Sequence, residues 1–228
     1  MDQNTRVASS ARSASSAGSV IATNKVLRNT YALLSLTLLF SALMAGVAMA
    51  TQAPPLNWMV VLVGYFGLLF TTFALRNSAW GIASVFALTG FMGFTLGPIL
   101  SFYIGAFSNG AELVMMALGG TGVMFLGLSA YALTTQKDFS FLRGFLLAGI
   151  LVAFVGAIIA IVFSIPALSL AMSAAFVVLM SALILYQTSE IINGGETNYI
   201  MATITLYVSI YNLFTSLLHL LAAFSGER

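Results

Sequence analysis

The carboxylates best placed for ion chemistry in this chain lie in the stretch ILYQTSEIINGGETNYI, residues 184–200. Glu190 and Glu196 stand there between two strongly apolar runs, in a sequence with only six acidic residues. Carboxylates at the edge of a membrane could form a cation site or a gate. They could equally belong to a polar loop between two spans, and the elements that hold them decide between these alternatives.

The chain has too few charges to cover the surface of a water-soluble globule. Its 228 residues are 60% hydrophobic and 6% charged, against about 25% charged in soluble domains. This composition predicts a multi-pass membrane protein. The net charge of +2 gives no indication of a nucleic-acid partner. Zero cysteines and one histidine, His219, leave no pattern typical of an enzyme, a cofactor site or a metal site.

Seven windows of roughly 20 mainly apolar residues predict an all-α fold with seven transmembrane helices. The windows are 29–50, 57–75, 79–104, 112–133, 142–164, 167–190 and 198–223. Only Pro166 and its neighbours separate the fifth window from the sixth, so one long kinked helix is the alternative there. Residues 1–24 lack the apolar run of a signal peptide. We interpret them as a mobile cytoplasmic tail before a transmembrane domain, 25–228.

The basic residues predict a cytoplasmic N-terminus and a periplasmic C-terminus. An odd number of spans places the two termini on opposite sides, and the cytoplasmic side carries the excess of Lys and Arg. Of the 8 basic residues, only Arg228 then lies outside. The cytoplasmic set is Arg6, Arg12, Lys25, Arg28, Arg76, Lys137 and Arg143. Residues 184–200 therefore lie on the cytoplasmic side, where span six ends and span seven begins.

Span seven carries a stripe of polar side chains on one helix face. Its members are Thr205, Ser209, Asn212, Ser216 and His219. Such a stripe should not face lipid, because hydrocarbon offers polar groups no partners. The last helix is therefore expected to be central in the bundle. The stripe could bond neighbouring helices or line a hydrated path.

Small residues at every fourth position predict packing faces on two spans. Span three carries Gly93, Gly97, Ser101 and Gly105, and span six carries Ala167, Ala171 and Ala175. Pro98 is expected to kink span three, because proline cannot donate a helical hydrogen bond.

Five separated segments resemble the Bax inhibitor-1 (TMBIM) family, in the family's order. They are GIAS at 81–84, GFTLGPIL at 93–100, ALGGTGVMF at 117–125, KDFSFL at 137–142 and LYVSIYNLF at 206–214. The resemblance runs from about Lys25 to the C-terminus and implies a seven-helix bundle with the last helix in the middle. The segments NKVLRNTYALLSLTL and GGETNYI are closer still to a bacterial inner-membrane branch. That branch is associated with the membrane protease FtsH, as a resistant substrate and modulator.

Other members of the family behave as pH-sensitive calcium leaks, gated by two aspartates near a basic residue. The resemblance places the basic residue at Arg76 and the two aspartates at Gln187 and Ser209. Neither Gln nor Ser titrates, and calcium sites usually include formal negative charge. We therefore expect the pH switch in that form to be absent.

Glu190 lies three residues after Gln187 and shares a helix face with it. Its carboxylate could pair with Arg76 and close the cytoplasmic end, while Glu196 is expected to cap span seven or to be solvated. The candidate gate or pore-lining residues are Arg76, Gln187, Glu190, Ser209 and Asn212. The resemblance favours a regulatory inner-membrane protein that engages FtsH. The alternative is a leak channel for calcium or other cations.

Overall fold

A computed structural model describes residues 24–226, which form seven α-helices and contain no strand. The helices are α1 (Lys25–Ala50), α2 (Trp58–Leu75), α3 (Trp80–Ala106), α4 (Gly110–Thr135), α5 (Leu142–Val162), α6 (Pro166–Asn193) and α7 (Tyr199–Ser225). All seven are long and apolar enough to cross a membrane, which confirms the predicted fold class. Apart from Asn24, the predicted N-terminal tail lies outside the described residues.

Asparagine side chains begin three of the helices. Asn24 accepts a hydrogen bond from the Leu27 amide at 3.0 Å, and Asn57 accepts one from the Met59 amide at 2.9 Å. Asn198 accepts bonds from two amides in the first turn of α7. An asparagine at this position satisfies amides that have no partner within the helix. These caps fix the residues at which α1, α2 and α7 begin.

The segment around Pro166 is a turn between two helices, so the alternative of one long kinked helix is wrong. Ser164 adopts a left-handed conformation with φ of 50°, and the Ile165 amide donates to the Ala160 carbonyl at 2.9 Å. Pro166 then occupies the first turn of α6, where a missing amide hydrogen costs little. At its other end α6 continues to Asn193, beyond the predicted window. Gly194, with φ of 80°, terminates it.

Helix α7 is central in the bundle, as the polar stripe predicts. It packs against α1, α3, α4 and α6. In the most apolar 18-residue segment of α7, 50% of the residues are buried, and the share in α3 is also 50%. In α2 the buried share is 6%, and Thr72 is the one buried residue of that helix. The bundle therefore has two buried helices, α3 and α7, and α2 lies at its edge.

The glycines of α3 allow α1 to approach closely. A Cβ atom at Gly93 would fall on the carbonyl oxygen of Ser41, and one at Gly97 would come within 2.8 Å of the Ala45 carbonyl oxygen. The predicted row does not continue as a contact, because a Cβ at Gly105 would meet nothing within 4 Å. Helix α3 runs without interruption through Pro98, and the kink there stays a prediction.

The predicted packing face on α6 is wrong. Ala167 and Ala171 are exposed on the outside of the bundle, and Ala175 is half-buried. Alanine suits contact with lipid as well as contact with another helix, so its spacing alone does not identify an interface.

Candidate functional site

The polar stripe of α7 is largely satisfied within its own helix. The side chains of Thr205, Ser209 and Asn212 donate to carbonyls four residues earlier, at 3.0, 2.7 and 2.8 Å. Ser209 is fully buried and Asn212 is half-buried. These bonds use one hydrogen of each of the three side chains and leave their oxygens able to accept, so the stripe offers neutral oxygens and no carboxylate.

One stripe residue does bond another helix. The Nδ1 atom of His219 lies 2.8 Å from the hydroxyl of Ser173, which joins the N-terminal third of α6 to the C-terminal third of α7. Ser173 is buried and His219 is half-buried. His219 therefore acts here as a link between two helices, and Ser216 and His219 make no hydrogen bond to each other.

Gln187 is the gate candidate whose unpartnered donor is buried. Its side chain is 6% exposed, and its Nε2 atom has no hydrogen-bond partner among residues 24–226. The Ser209 hydroxyl donates to the Thr205 carbonyl, and its oxygen does not accept a hydrogen bond from Gln187. An unpartnered buried amide opposes folding. Gln187 and Ser209, the positions to which the family resemblance assigns the two aspartates, are therefore uncharged and not hydrogen-bonded to each other.

Arg76 and Glu190 have separate surroundings. The Arg76 guanidinium lies over the Phe73 ring, 4.3 Å from its centroid. The Glu190 carboxylate lies beside the Tyr186 hydroxyl and close to Gly195. The cation near the Tyr186 hydroxyl is Arg143 of α5. The expected ion pair between Arg76 and Glu190 does not form. No guanidinium nitrogen of Arg76 lies within 4.0 Å of a carboxylate oxygen of Glu190.

The start of α7 is organised by Asn198, with Glu196 in support. The Glu196 carboxylate accepts the Asn198 amide hydrogen at 2.7 Å, while the Asn198 side chain caps the helix. The same side chain donates to the Arg76 carbonyl at 3.1 Å and to the Asn77 side chain at 2.9 Å. Glu196 therefore holds the capping residue and does not cap the helix itself. The turn is fastened to the end of α2.

Two further contacts fasten this end of α6, and no sequence pattern indicated them. The hydroxyl of buried Ser189 donates to the Lys137 carbonyl at 2.8 Å and accepts the Phe139 amide at 3.2 Å. The Asn24 side chain donates to the Ile191 carbonyl at 3.1 Å. We call the contacts of Asn24, Ser189 and Asn198 the three clamps. They join α1, α2 and the α4–α5 loop to the ends of α6 and α7.

Tyr207 is a second feature that the sequence did not reveal. It is 1% exposed, and its hydroxyl lies 2.6 Å from the Ser41 hydroxyl and donates to the Thr89 carbonyl at 3.2 Å. Because its one hydrogen goes to Thr89, Ser41 must donate to Tyr207. This Tyr207 link ties α1, α3 and α7 together at one buried point. Tyr207 lies off the polar stripe, so helical spacing gave no signal for it.

The described residues contain no group of three His, Cys, Asp or Glu side chains that could hold a metal ion. In the α4–α5 loop, the Ser140 amide donates to the Asp138 carboxylate at 2.7 Å, and this bond lowers the pKa of that carboxyl. The clamps and the Tyr207 link hold helices together.

Comparisons with known proteins agree with this picture. Residues 23–226 match the family described as "Inhibitor of apoptosis-promoting Bax1". The chain is 57% identical over 202 residues to the protein PA2604 of Pseudomonas aeruginosa. The aligned segment covers 89% of this chain and 90% of that protein. The chain is 50% identical over 209 residues to "Modulator of FtsH protease YccA" of Escherichia coli strain K12, covering 92% and 94% respectively. The same values hold for "Inner membrane protein YccA" of E. coli O6:H1.

Proposed function

Because this chain belongs to the Bax inhibitor-1 family, we propose that it is a regulatory membrane protein that FtsH engages as a slow substrate and that modulates the protease in turn. The chain is a multi-pass protein of the bacterial inner membrane. The observation that carries the proposal is its 50% identity, over 92% of its length, to a protein named for modulating FtsH. An enzymatic role is not part of the proposal.

The orientation that this function requires has the N-terminus in the cytoplasm. The alternation of helices puts Lys25, Arg76, Lys137 and Arg143 at one end of the bundle, as the charge rule expects for the cytoplasmic side. Since the chain has no cysteine, single cysteines can map its sides. A reagent applied from the periplasm should label Ser108→Cys and spare Lys137→Cys. The reverse pattern would contradict the orientation.

We further propose that an ATP-driven unfoldase grips residues 1–23, because chain ends are common sites of proteolytic attack. Deleting residues 2–20 should lengthen the half-life of the protein only in cells that contain FtsH. A matched control replaces residues 2–20 with a Gly/Ser segment of equal length, which should restore the original half-life if any chain serves as a handle. A half-life unchanged by the deletion would contradict the handle.

The family's other activity, a calcium or cation leak, has less support here. Gln187 and Ser209 carry no charge, and the α7 stripe contains no carboxylate. Calcium takes oxygen ligands that usually include carboxylates. We expect no cation flux through the wild-type protein in liposomes between about pH 5 and 8. Flux that rises or falls with pH would favour the leak over the regulatory function.

A further inference from the structure

Helices α1 and α3 share a seam that depends on missing side chains. We define the α1–α3 seam as Gly93 and Gly97 of α3 with Ser41, Ala45 and Ala48 of α1. A Cβ at Gly97 would come within 2.5 Å of the Ala48 Cβ, and one at Gly93 would fall on backbone atoms of Ser41. Inside a membrane, helices associate through close packing of this kind and through interhelical hydrogen bonds. The seam therefore holds α1 more closely than side-chain packing alone would allow.

The Tyr207 link meets the seam at Ser41, the first of its residues along α1. Ser41 is 6% exposed and belongs both to the seam and to the link, through its backbone and its hydroxyl respectively. Ser41 and Tyr207 are both buried, so breaking their bond leaves the Ser41 hydroxyl without its interhelical acceptor, while Tyr207 still donates to the Thr89 carbonyl. The bond is consequently a barrier to moving α1 by even one turn.

A force on the N-terminal end of the chain reaches α1 before any other helix. Asn24 is both the cap of α1 and one of the three clamps, so it receives the load from residues 1–23. Next along the same helix are Thr30, whose carbonyl accepts the Thr203 hydroxyl at 3.3 Å, and then Ser41. The following helix, α2, has only Thr72 buried and offers little resistance of its own.

We propose that α1 is a mechanical latch, in which the α1–α3 seam and the Tyr207 link form the main barrier to extraction of the protein from its N-terminal end. A protease that pulls on residues 1–23 stalls at α1. Once α1 has left, α2 follows with little further resistance. The identity of the pulling partner rests on the proposed function, whereas the latch itself does not.

The latch is tested by single-molecule force spectroscopy on the full chain in lipid bilayers, pulled from the N-terminus. Ser41→Ala removes the hydroxyl that reaches Tyr207. Ser35→Ala is the matched control, because the exposed Ser35 hydroxyl donates to the Tyr31 carbonyl of its own helix at 2.8 Å. The rate of α1 rupture at a fixed force should rise about fivefold in Ser41→Ala, the equivalent of about 1 kcal/mol for one hydrogen bond. It should stay unchanged in Ser35→Ala.

A second variant, Tyr207→Phe, keeps the ring and removes both bonds of the Tyr207 link. It should raise the rupture rate at least as much as Ser41→Ala does. Equal rupture rates in the wild type, Ser41→Ala and Tyr207→Phe would overturn the latch. So would a largest force peak that falls in a helix other than α1.

The same variants are then incubated with E. coli FtsH in proteoliposomes. Faster degradation of Ser41→Ala and Tyr207→Phe than of the wild type and Ser35→Ala is the expected result. If FtsH degrades none of the four proteins while the force differences persist, the proposed function fails and the latch stands. If FtsH degrades all four at one rate, the latch does not limit extraction and that part of the proposal is overturned.

Discussion

Replacing Gln187 with methionine should stabilise the bundle. The Gln187 side chain is 6% exposed, and its amide nitrogen has no hydrogen-bond partner among residues 24–226. Leaving a buried donor unsatisfied costs about 1–3 kcal/mol. Methionine has nearly the same length and adapts easily to a cavity, so packing is retained. Polar groups in membranes tend to contribute less than this. We therefore expect the free energy of unfolding to rise by about 1 kcal/mol, or the Tm by about 2–4 °C.

The assay is thermal unfolding in detergent, followed by the fluorescence of Trp58 and Trp80, the only two tryptophans of the chain. Asn212→Leu is the matched control, because the Asn212 amide donates to the Val208 carbonyl at 2.8 Å and its removal should not raise the Tm. A Tm that falls in Gln187→Met as much as in Asn212→Leu would refute the reasoning. It would mean that the Gln187 amide has a partner.

Three further substitutions test the packing and the clamps. Gly97→Val should lower the Tm by several degrees, because the valine side chain would overlap α1. Gly105→Ala should leave the Tm unchanged, since a Cβ there meets nothing within 4 Å. Equal effects of the two substitutions would contradict the close approach of α1. Gly194→Ala should destabilise by about 1 kcal/mol in chemical unfolding, because φ of 80° strains any residue with a Cβ; no loss would argue against that conformation. Ser189→Ala should speed hydrogen exchange at the Phe139 amide, and unchanged exchange would show that the bond is not formed.

The transmembrane helices could be predicted because each one is a continuous apolar run, closed by residues that favour turns. Pro166 marks the limit of this prediction, since a proline can either kink a helix or begin one. In the structure Pro166 begins α6, after a turn in which Ser164 has a left-handed conformation. The central position of α7 also follows from sequence, because its polar face has no place in lipid. The equal burial of α3 did not follow, because glycine and alanine give no comparable polarity signal.

The links between helices could not be predicted from the sequence. Ser41 and Ser35 are similar serines on the same helix, yet only Ser41 meets Tyr207, because of the relative rotation and height of α1 and α7. The candidate gate shows the same limit. Spacing correctly puts Glu190 on the face of Gln187, but it carries no information on Arg76, which the fold places over Phe73. The caps at Asn24 and Asn198 were open to prediction, since asparagine before an apolar run is a common helix start.

Reconstituting this protein with FtsH in proteoliposomes tests whether it engages and modulates the protease. A second membrane substrate of the protease is included, and the degradation of both proteins is followed over time with ATP. We expect that the full chain is degraded slowly and that it lowers the degradation rate of the other substrate, whereas the chain lacking residues 2–20 is not degraded. A full chain that is neither degraded nor able to change the degradation of the second substrate would contradict it.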